Sequence, residues 1–150
     1  MDILNAQIAR GEKIKIKGFL YDSNKKQWMG YPVLGSTLKI NHFNEENTYF
    51  ILAIGSNKIR YKLSQKYKHL NFFTAIHPST IIGSQVDIGD GTVVMPNATI
   101  NANSQIGQNV IINTGVVVEH DNLIGNWPLC SCGFKCDFMW RCESQGINTY

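Results

Sequence analysis

The run Glu119-His120-Asp121 carries the clearest chemical signal in the chain, because it places an imidazole between two carboxylates. An amine or hydroxyl that attacks an acyl carbon must give up a proton, and an imidazole accepts one near neutral pH. Asp121 is the expected partner that orients the ring, with Glu119 as the alternative. A plain surface histidine on a turn is the competing interpretation of His120.

Gly55-Ser56-Asn57 is a second candidate site, because it joins an apolar run to a predicted helix. Residues 49–54 predict a buried strand, and Ser56 predicts the N-cap of a helix that runs to about Lys68. Free amides at a helix N-terminus, next to a glycine, suit a phosphate oxygen. An ordinary N-cap without a ligand is the alternative interpretation.

A six-residue period in the second half of the chain predicts the elements that position His120. Branched aliphatic residues stand six apart at Ile76, Ile82, Ile88, Val94, Ile100, Ile106, Ile112, Val118 and Ile124. A helix buries about every 3.6th residue and a strand every second one, so this period predicts a solenoid of short strands and turns. Three hexads form one triangular coil, and Ile76, Val94 and Ile112 are one expected inward column. A β-sandwich with chance spacing would not hold one register over so many units.

The residues beside the aliphatic positions fit a narrow prism. Two residues earlier the side chains are small or β-branched, with Asn122 as the polar exception. Directly after the aliphatic residue come Gly83, Gly89, Asn101, Gly107, Asn113 and Gly125. We expect these residues to take the left-handed backbone conformation at the corners of the prism.

The segment from Ala75 to Gly125 resembles the hexapeptide-repeat acyltransferases. Within it, His77-Pro78-Ser79 and the stretch from Asn113 to Asp121 resemble the sugar-nucleotide N-acetyltransferases and sialic acid O-acetyltransferases of bacterial glycan pathways. The resemblance covers residues 13–125 and implies a left-handed parallel β-helix that assembles as a homotrimer, with acetyl-CoA as co-substrate. It implies N-acetylation of an amino-sugar nucleotide. Sialic acid O-acetylation and a non-catalytic trimeric binding scaffold are the alternatives.

The same resemblance implies the residues of the site. Residues 118–121 match the family's catalytic segment, which implies that His120 acts as general base with Asp121 beside it. Gly55-Ser56-Asn57 and Asp22 resemble the family's sugar-nucleotide contacts. Tyr21 stands where the family has an acidic residue, so only Asp22 is carried over from that pair. The contacts to acetyl-CoA are expected in coils that follow the histidine, and no residue is assigned to them.

Residues 1–74 predict an incomplete Rossmann-like α/β unit. Its expected elements are a helix closed by Gly11, a strand over residues 13–20, a turn and short strand over residues 31–36, and the helix after Ser56 with Ile59 and Leu63 on its inner face. The family begins with a further strand and a glycine-rich loop. Without them we expect an exposed sheet edge and weak or absent sugar-nucleotide binding.

Residues 75–126 are the predicted coils, and residues 127–150 lack the six-residue register. This tail contains Cys130, Cys132, Cys136 and Cys142. Their compact spacing differs from the paired knuckles of a zinc site, and a disulfide cluster does not suit a cytoplasmic protein. We therefore assign these cysteines neither role.

A frameshift near Asn126 or Trp127 is our hypothesis for the tail. Met139 and Trp140 have unique codons, and a shift of one nucleotide through them encodes Cys-Gly, after which a hexad can resume. Because the coils beyond the histidine would then be replaced, we expect the chain to transfer acetyl groups poorly or not at all.

Charge is divided unevenly along the chain. Residues 1–75 hold 12 Lys or Arg against 5 Asp or Glu, a net +7, whereas residues 76–150 hold 2 against 6, a net −4. A basic half suits a phosphate-bearing ligand, although a solvated surface explains it equally well. Lysines alternate with Ile14 and Ile16, as in a half-exposed strand, so nucleic acid is not an expected partner.

The remaining patterns bear on location and metal content. The chain has neither an apolar run of about 18 residues nor a basic-then-apolar start, so we expect a cytoplasmic protein without a membrane partner. His77 is expected to cap the first coil through a backbone hydrogen bond. The histidines lack metal-ligand spacing, so we predict no metal.

Overall fold

The N-terminal half consists of two α-helices and a small sheet in the computed structural model, which describes residues 1–126 and the strand Leu129–Cys130. Its elements are α1 (Asp2–Ala9), β1 (Phe19–Leu20), β2 (Gln27–Trp28), β3 (Tyr31–Gly35), a 3-10 helix (Thr37–Phe43) and α2 (Asn57–Lys66). β1 pairs in parallel with β3, and β2 pairs antiparallel with β3, so β1 lies at a sheet edge. The chain turns after α1 at Gly11, as predicted, with φ of 95°.

The predicted strand over residues 13–20 is shorter than expected. Only Phe19–Leu20 is paired, although the lysines at 13, 15 and 17 are exposed and the intervening isoleucines half-buried, as their alternation predicts. An alternating pattern reports which side chains are buried, whereas a ladder also needs a neighbouring strand. In this sheet β3 is the neighbour of β1, and their pairing begins at Phe19.

The predicted buried strand over residues 49–54 is reduced to one bridge, between Phe50 and Phe72. The Phe50 N–H donates to the Asn71 carbonyl, and the Phe50 carbonyl accepts from the Phe73 N–H, each at 2.9 Å. The strand prediction was therefore wrong over most of its length.

Helix α2 begins as predicted, but its buried face differs. Ser56 is the N-cap, and its Oγ accepts from the Ile59 N–H at 3.5 Å. Ile59 is 47% exposed, whereas Arg60 is 1% exposed, so Ile59 was wrongly assigned to the inner face. Leu63 does face inward, against the small core formed by Ile40, Tyr67 and Leu70.

The second half is a triangular parallel β-helix built from two-residue strands. They are β4 (Ala75–Ile76), β5 (Ile81–Ile82), β6 (Asp87–Ile88), β7 (Val93–Val94), β8 (Thr99–Ile100), β9 (Gln105–Ile106), β10 (Ile111–Ile112), β11 (Val117–Val118), β12 (Leu123–Ile124) and β13 (Leu129–Cys130). Three sheets make the sides, in the orders β4-β7-β10-β13, β5-β8-β11 and β6-β9-β12. The predicted column Ile76, Val94 and Ile112 is confirmed by the pairing of these residues.

Strand β13 continues the backbone register beyond the last hexad that the sequence pattern shows, because Leu129 pairs with Ile111 and Cys130 with Ile112. The frameshift, zinc and disulfide interpretations concern residues 127–150, and apart from the backbone of β13 they lie outside the described residues.

The threonine and serine side chains two positions before the aliphatic residues also connect neighbouring coils through hydrogen bonds. Thr92 is fully buried; its Oγ1 donates to the Gly107 carbonyl at 2.7 Å and accepts from the Val110 N–H at 3.1 Å. Ser104, also fully buried, donates to the Glu119 carbonyl at 2.8 Å. Thr92 and Ser104 therefore combine a small side chain with the ability to satisfy a buried backbone group.

The left-handed corners fall two positions later than predicted. Positive φ angles of 54° to 74° occur at Gln85, Gly91, Asn97, Asn103, Asn109, Gly115 and Asp121. The glycines directly after the aliphatic residues meet a different constraint, which is the close approach of the next coil. A Cβ on Gly89 would lie 2.7 Å from the Gly107 carbonyl carbon and 2.8 Å from the Gln108 nitrogen.

Replacement of Gly89 by alanine should therefore strain the stack. We expect Gly89→Ala to lower the free energy of unfolding by about 2 kcal/mol, because the backbone of the next coil must shift. Gly125→Ala is the matched control, since it stands in the same column and no atom of the described residues lies within 4 Å of its added Cβ. Urea denaturation followed by circular dichroism measures both variants. Equal midpoints would contradict the close-approach explanation.

Candidate active site

His120 lies on the turn between β11 and β12, with 66% of its side chain exposed. The inward residues on either side of this turn, Val118 and Ile124, are 0% and 4% exposed. Both ends of the turn are thus held by the core of the prism, while the imidazole is open to solvent.

The structure brings His120 and Asp121 together. His120 Nδ1 lies 2.6 Å from Asp121 Oδ2. A carboxylate can only accept hydrogen bonds, so Nδ1 carries the hydrogen, and in the neutral ring Nε2 then keeps its lone pair. This arrangement leaves Nε2 able to accept a proton.

Asn103, one coil earlier, holds the other side of the carboxylate. Its Nδ2 donates to Asp121 Oδ1, and the Asp121 N–H donates to the Ala102 carbonyl at 3.1 Å. The hydrogen bond from Asn103, then that from His120, holds the pKa of Asp121 below its usual range. Sequence reasoning missed Asn103, although its position 18 residues before Asp121 was the signal that could have found it.

Glu119, the alternative partner of the imidazole, is engaged elsewhere. Its Oε2 accepts from Asn101 Nδ2 at 3.1 Å. Its backbone carbonyl accepts from Ser104 Oγ at 2.8 Å and from Asn122 Nδ2 at 2.9 Å. These contacts explain why Asp121 rather than Glu119 pairs with the ring.

Asp22 connects the end of β1 to the start of the 3-10 helix through hydrogen bonds. Its Oδ1 accepts from the Ser36 hydroxyl and from the Thr37 N–H at 3.1 Å, and its Oδ2 accepts from Thr37 Oγ1 at 2.7 Å. These bonds, led by that from Ser36, lower the pKa of Asp22. The neighbouring Tyr21 packs its ring against Trp28, with the two centroids 5.9 Å apart.

The Gly55-Ser56-Asn57 loop is held by a buried guanidinium. Arg60 Nη1 donates to the carbonyls of Ile54 and Gly55 at 2.9 and 3.0 Å, and Nη2 donates to Asn57 Oδ1 at 2.9 Å. Its Nε reaches the Asn109 carbonyl on a corner of the prism at 3.2 Å. Burial lowers the pKa of Arg60.

Arg60 was not a sequence candidate, because nothing in an isolated sequence marks one arginine of a charged helix as buried. The two predicted substrate-binding positions also have separate partners. Asp22 contacts Ser36 and Thr37, whereas the Gly55-Ser56-Asn57 loop contacts Arg60.

His77 behaves as predicted at the start of the coils. Its Nδ1 accepts from the Ser79 N–H at 3.1 Å and lies 2.8 Å from Ser79 Oγ. Among residues 1–126, no group of three or more His, Cys, Asp or Glu side chains is arranged to hold a metal ion. In the same part of the chain, no helix has the length and apolarity needed to cross a membrane.

Both halves of the chain match known protein families. Residues 2–67 match the PglD N-terminal domain, and residues 85–120 match the bacterial transferase hexapeptide of six repeats. The chain is 32% identical to GDP-perosamine N-acetyltransferase of Escherichia coli O157:H7 over an alignment of 91 residues. This alignment covers 59% of this chain and 41% of the relative.

Two solved structures are similar to the whole described fold. The acetyltransferase domain of PglB from Neisseria gonorrhoeae FA1090, in complex with acetyl coenzyme A, has a TM-score of 0.77 and 30% identity over 85% of this chain and 63% of its own. PerB from Caulobacter crescentus, in complex with CoA and GDP-perosamine, has a TM-score of 0.74 and 33% identity over 85% of this chain and 61% of its own. The chain thus spans less than two thirds of each of these relatives.

This chain thus combines a region similar to the PglD N-terminal domain with a region similar to the bacterial transferase hexapeptide repeats, and its structure is similar to that of an acetyltransferase domain. The predicted fold class, an α/β unit followed by a left-handed parallel β-helix, is confirmed.

The contacts of Asp121 predict its titration. Hydrogen bonds to the carboxylate favour the ionised form, so its folded-state pKa lies below its unfolded-state pKa. Any stability gained from this contact is present above the unfolded-state pKa and is lost as the pH falls through the folded-state pKa. We expect the Asp121 carboxyl carbon, followed by NMR, to titrate at lower pH in the native chain than in urea. A native midpoint at or above the unfolded one would contradict this prediction.

Proposed function

We propose that this chain is an acetyl-CoA-dependent N-acetyltransferase whose acceptor is the amino group of a sugar nucleotide, with His120 as general base. The observation that carries the proposal is the hydrogen bond between His120 Nδ1 and Asp121 Oδ2, which leaves the Nε2 lone pair of the neutral ring available on an exposed side chain, within residues 118–121 that resemble the catalytic segment of the family. The name of the GDP-perosamine N-acetyltransferase and the ligands of PglB and PerB support the choice of acetyl-CoA and of a sugar nucleotide.

In the proposed reaction the acceptor amine attacks the carbonyl carbon of the acetyl thioester. His120 Nε2 takes the amine proton as the carbon–nitrogen bond forms. The tetrahedral intermediate then collapses with breakage of the carbon–sulfur bond, and the proton passes to the leaving sulfur. The products are the N-acetylated sugar nucleotide and CoA. Asp121 stabilises the transient imidazolium through its hydrogen bond to Nδ1.

The sugar nucleotide is proposed to contact Asp22 and the Gly55-Ser56-Asn57 loop. The loop lies at the N-terminus of α2, where backbone amides and the helix dipole favour a phosphate. The net charge of +7 over residues 1–75 acts in the same direction. Asp22 already accepts from Ser36 and Thr37, which orients its carboxylate, and a carboxylate has further lone pairs for a ligand hydroxyl.

The reaction is tested with acetyl-CoA and GDP-perosamine, by mass spectrometry of the acetylated product, which detects slow turnover. We expect His120→Ala to lower the rate by about 100-fold, the lower end of the usual contribution of a general base. His77→Ala is the control, because His77 is also a turn histidine of the coils with its Nδ1 hydrogen-bonded. An unchanged rate in His120→Ala, or an equal loss in both variants, would contradict the proposal.

Binding of GDP-perosamine without turnover would favour a binding scaffold, and acetylated sialic acid in a competition assay would favour O-acetylation.

We also propose that the prisms assemble as a homotrimer. Ile81 and Leu123 are 65% and 68% exposed, on β5 and β12, and large apolar side chains on sheet faces suit burial against another copy. Light scattering after gel filtration should give three times the chain mass of 16.9 kDa. Ile81→Asp is expected to shift the mass to that of one chain, whereas Lys62→Asp, at an exposed position of α2, should not. A monomeric unmodified chain would refute the proposed assembly.

A further inference from the structure

Directly beneath the Glu119-His120-Asp121 corner lies the tripeptide Asn101-Ala102-Asn103, one coil earlier. The stacking begins in the strands, where Ile100 pairs with Val118, and it continues into the turn. The two turns also share backbone geometry, because Asn103 and Asp121 have φ angles of 62° and 59°. Each residue of the lower turn is therefore in register with the residue 18 positions later.

All three lower residues hold the upper turn. Asn101 Nδ2 donates to Glu119 Oε2 at 3.1 Å, Asn103 Nδ2 donates to Asp121 Oδ1, and the Ala102 carbonyl accepts from the Asp121 N–H at 3.1 Å. The charged groups that flank the imidazole, Glu119 and Asp121, are thus each bonded to an amide from below. Asp121 uses one oxygen for Asn103 and the other for His120.

We propose that Asn103, supported by Asn101 and Ala102, is a positioning residue that fixes the tautomer of His120. This inference rests on the proposed function only in that His120 is taken as the base. Asn103 acts through Asp121: the amide stops rotation of the carboxylate, and the fixed Oδ2 keeps the hydrogen of the imidazole on Nδ1. Asn101 contributes by keeping the carboxylate of Glu119 away from the ring.

The exposure of the pair explains why such support is needed. The side chains of His120 and Asp121 are 66% and 61% exposed, and an ion pair between exposed side chains is weakened by water and by the entropy of holding both rotamers. A carboxylate already held by a hydrogen bond loses less freedom when it binds the imidazole. The tautomer of a histidine follows the hydrogen bond made by its other nitrogen, so the position of Asp121 decides the state of Nε2.

Nitrogen-15 NMR of the histidine side chains tests the role of Asn103 without any turnover. In Asn103→Gly the amide is lost while the left-handed corner is still favoured. We expect the Nε2 resonance of His120 to move from that of an unprotonated nitrogen towards that of a protonated one. Asn97→Gly is the matched control, since Asn97 has φ of 59° at a different corner. His120 resonances that are the same in Asn103→Gly and the unmodified chain would overturn the proposal.

Asn103→Asp is a second variant, in case the added flexibility of glycine prevents folding. It keeps the size of the side chain and the tolerance of a left-handed conformation, but it replaces the donor by an acceptor. The same loss of the Nδ1–H tautomer is expected, and an unchanged tautomer would again overturn the role of Asn103.

Kinetics separate this inference from the proposed function. If both hold, Asn103→Gly lowers kcat by roughly three- to tenfold, the range expected from loss of one hydrogen bond, and leaves the KM for acetyl-CoA unchanged. A tautomer shift in a chain that never acetylates a sugar nucleotide would support the positioning role and refute the function. Acetyl transfer that needs His120, with no tautomer shift in Asn103→Gly, would support the function and refute the positioning role.

Discussion

Backbone hydrogen bonding between neighbouring coils, which pairs strand residues 18 apart in the sequence, is the constraint on which the rest of the structure depends. Strands of two residues have no stability of their own, and each is held by the coils before and after it. The His77 N–H donates to the Val94 carbonyl and the Met95 N–H to the Ile112 carbonyl, at 2.9 and 2.8 Å. This register sets the inward aliphatic columns, the close approach at Gly89 and the layer beneath His120.

The N-terminal half is attached to this prism through a buried arginine. Arg60 donates to the loop at the start of its own helix and to the Asn109 carbonyl, 49 residues away. A buried guanidinium is costly unless its hydrogen bonds are made, so its donors favour one orientation of the loop against the coil. The loop proposed to contact the nucleotide is thereby joined to the β-helix that carries the histidine.

The β-helix could be predicted from the sequence because its six-residue period repeats many times, so that a few residues that depart from the pattern do not hide it. The inward columns and the pairing of residues 18 apart follow from the spacing of aliphatic residues alone. The N-terminal half has no such repetition. There, residues 49–54 look like a strand because they are apolar, but an apolar run does not reveal whether a neighbouring strand is available.

In the candidate site, contacts between neighbours in the chain could be predicted from the sequence, whereas contacts that depend on tertiary structure could not. His120 and Asp121 are adjacent in the chain, so their contact could be inferred from it. Asn103 required the coil register in addition, and Arg60 required knowledge of tertiary packing that a charged helix does not disclose. The glycines directly after the aliphatic residues were wrongly assigned to left-handed corners, since a glycine is equally suited to a place where another backbone comes close.

The left-handed backbone conformation at Asp121 explains why the carboxylate beside His120 belongs to an aspartate and not to a glutamate. Among residues with a Cβ, this conformation favours asparagine and aspartate, whose short polar side chains can bond locally. An aspartate here therefore meets a conformational requirement of the prism and supplies the carboxylate that faces the imidazole. A glutamate would suit the corner less well and would place its carboxylate one methylene farther from the backbone. In such a solenoid the turn geometry itself enriches the corners in side chains able to form hydrogen bonds, so a base and its partner can arise without any departure from the repeat.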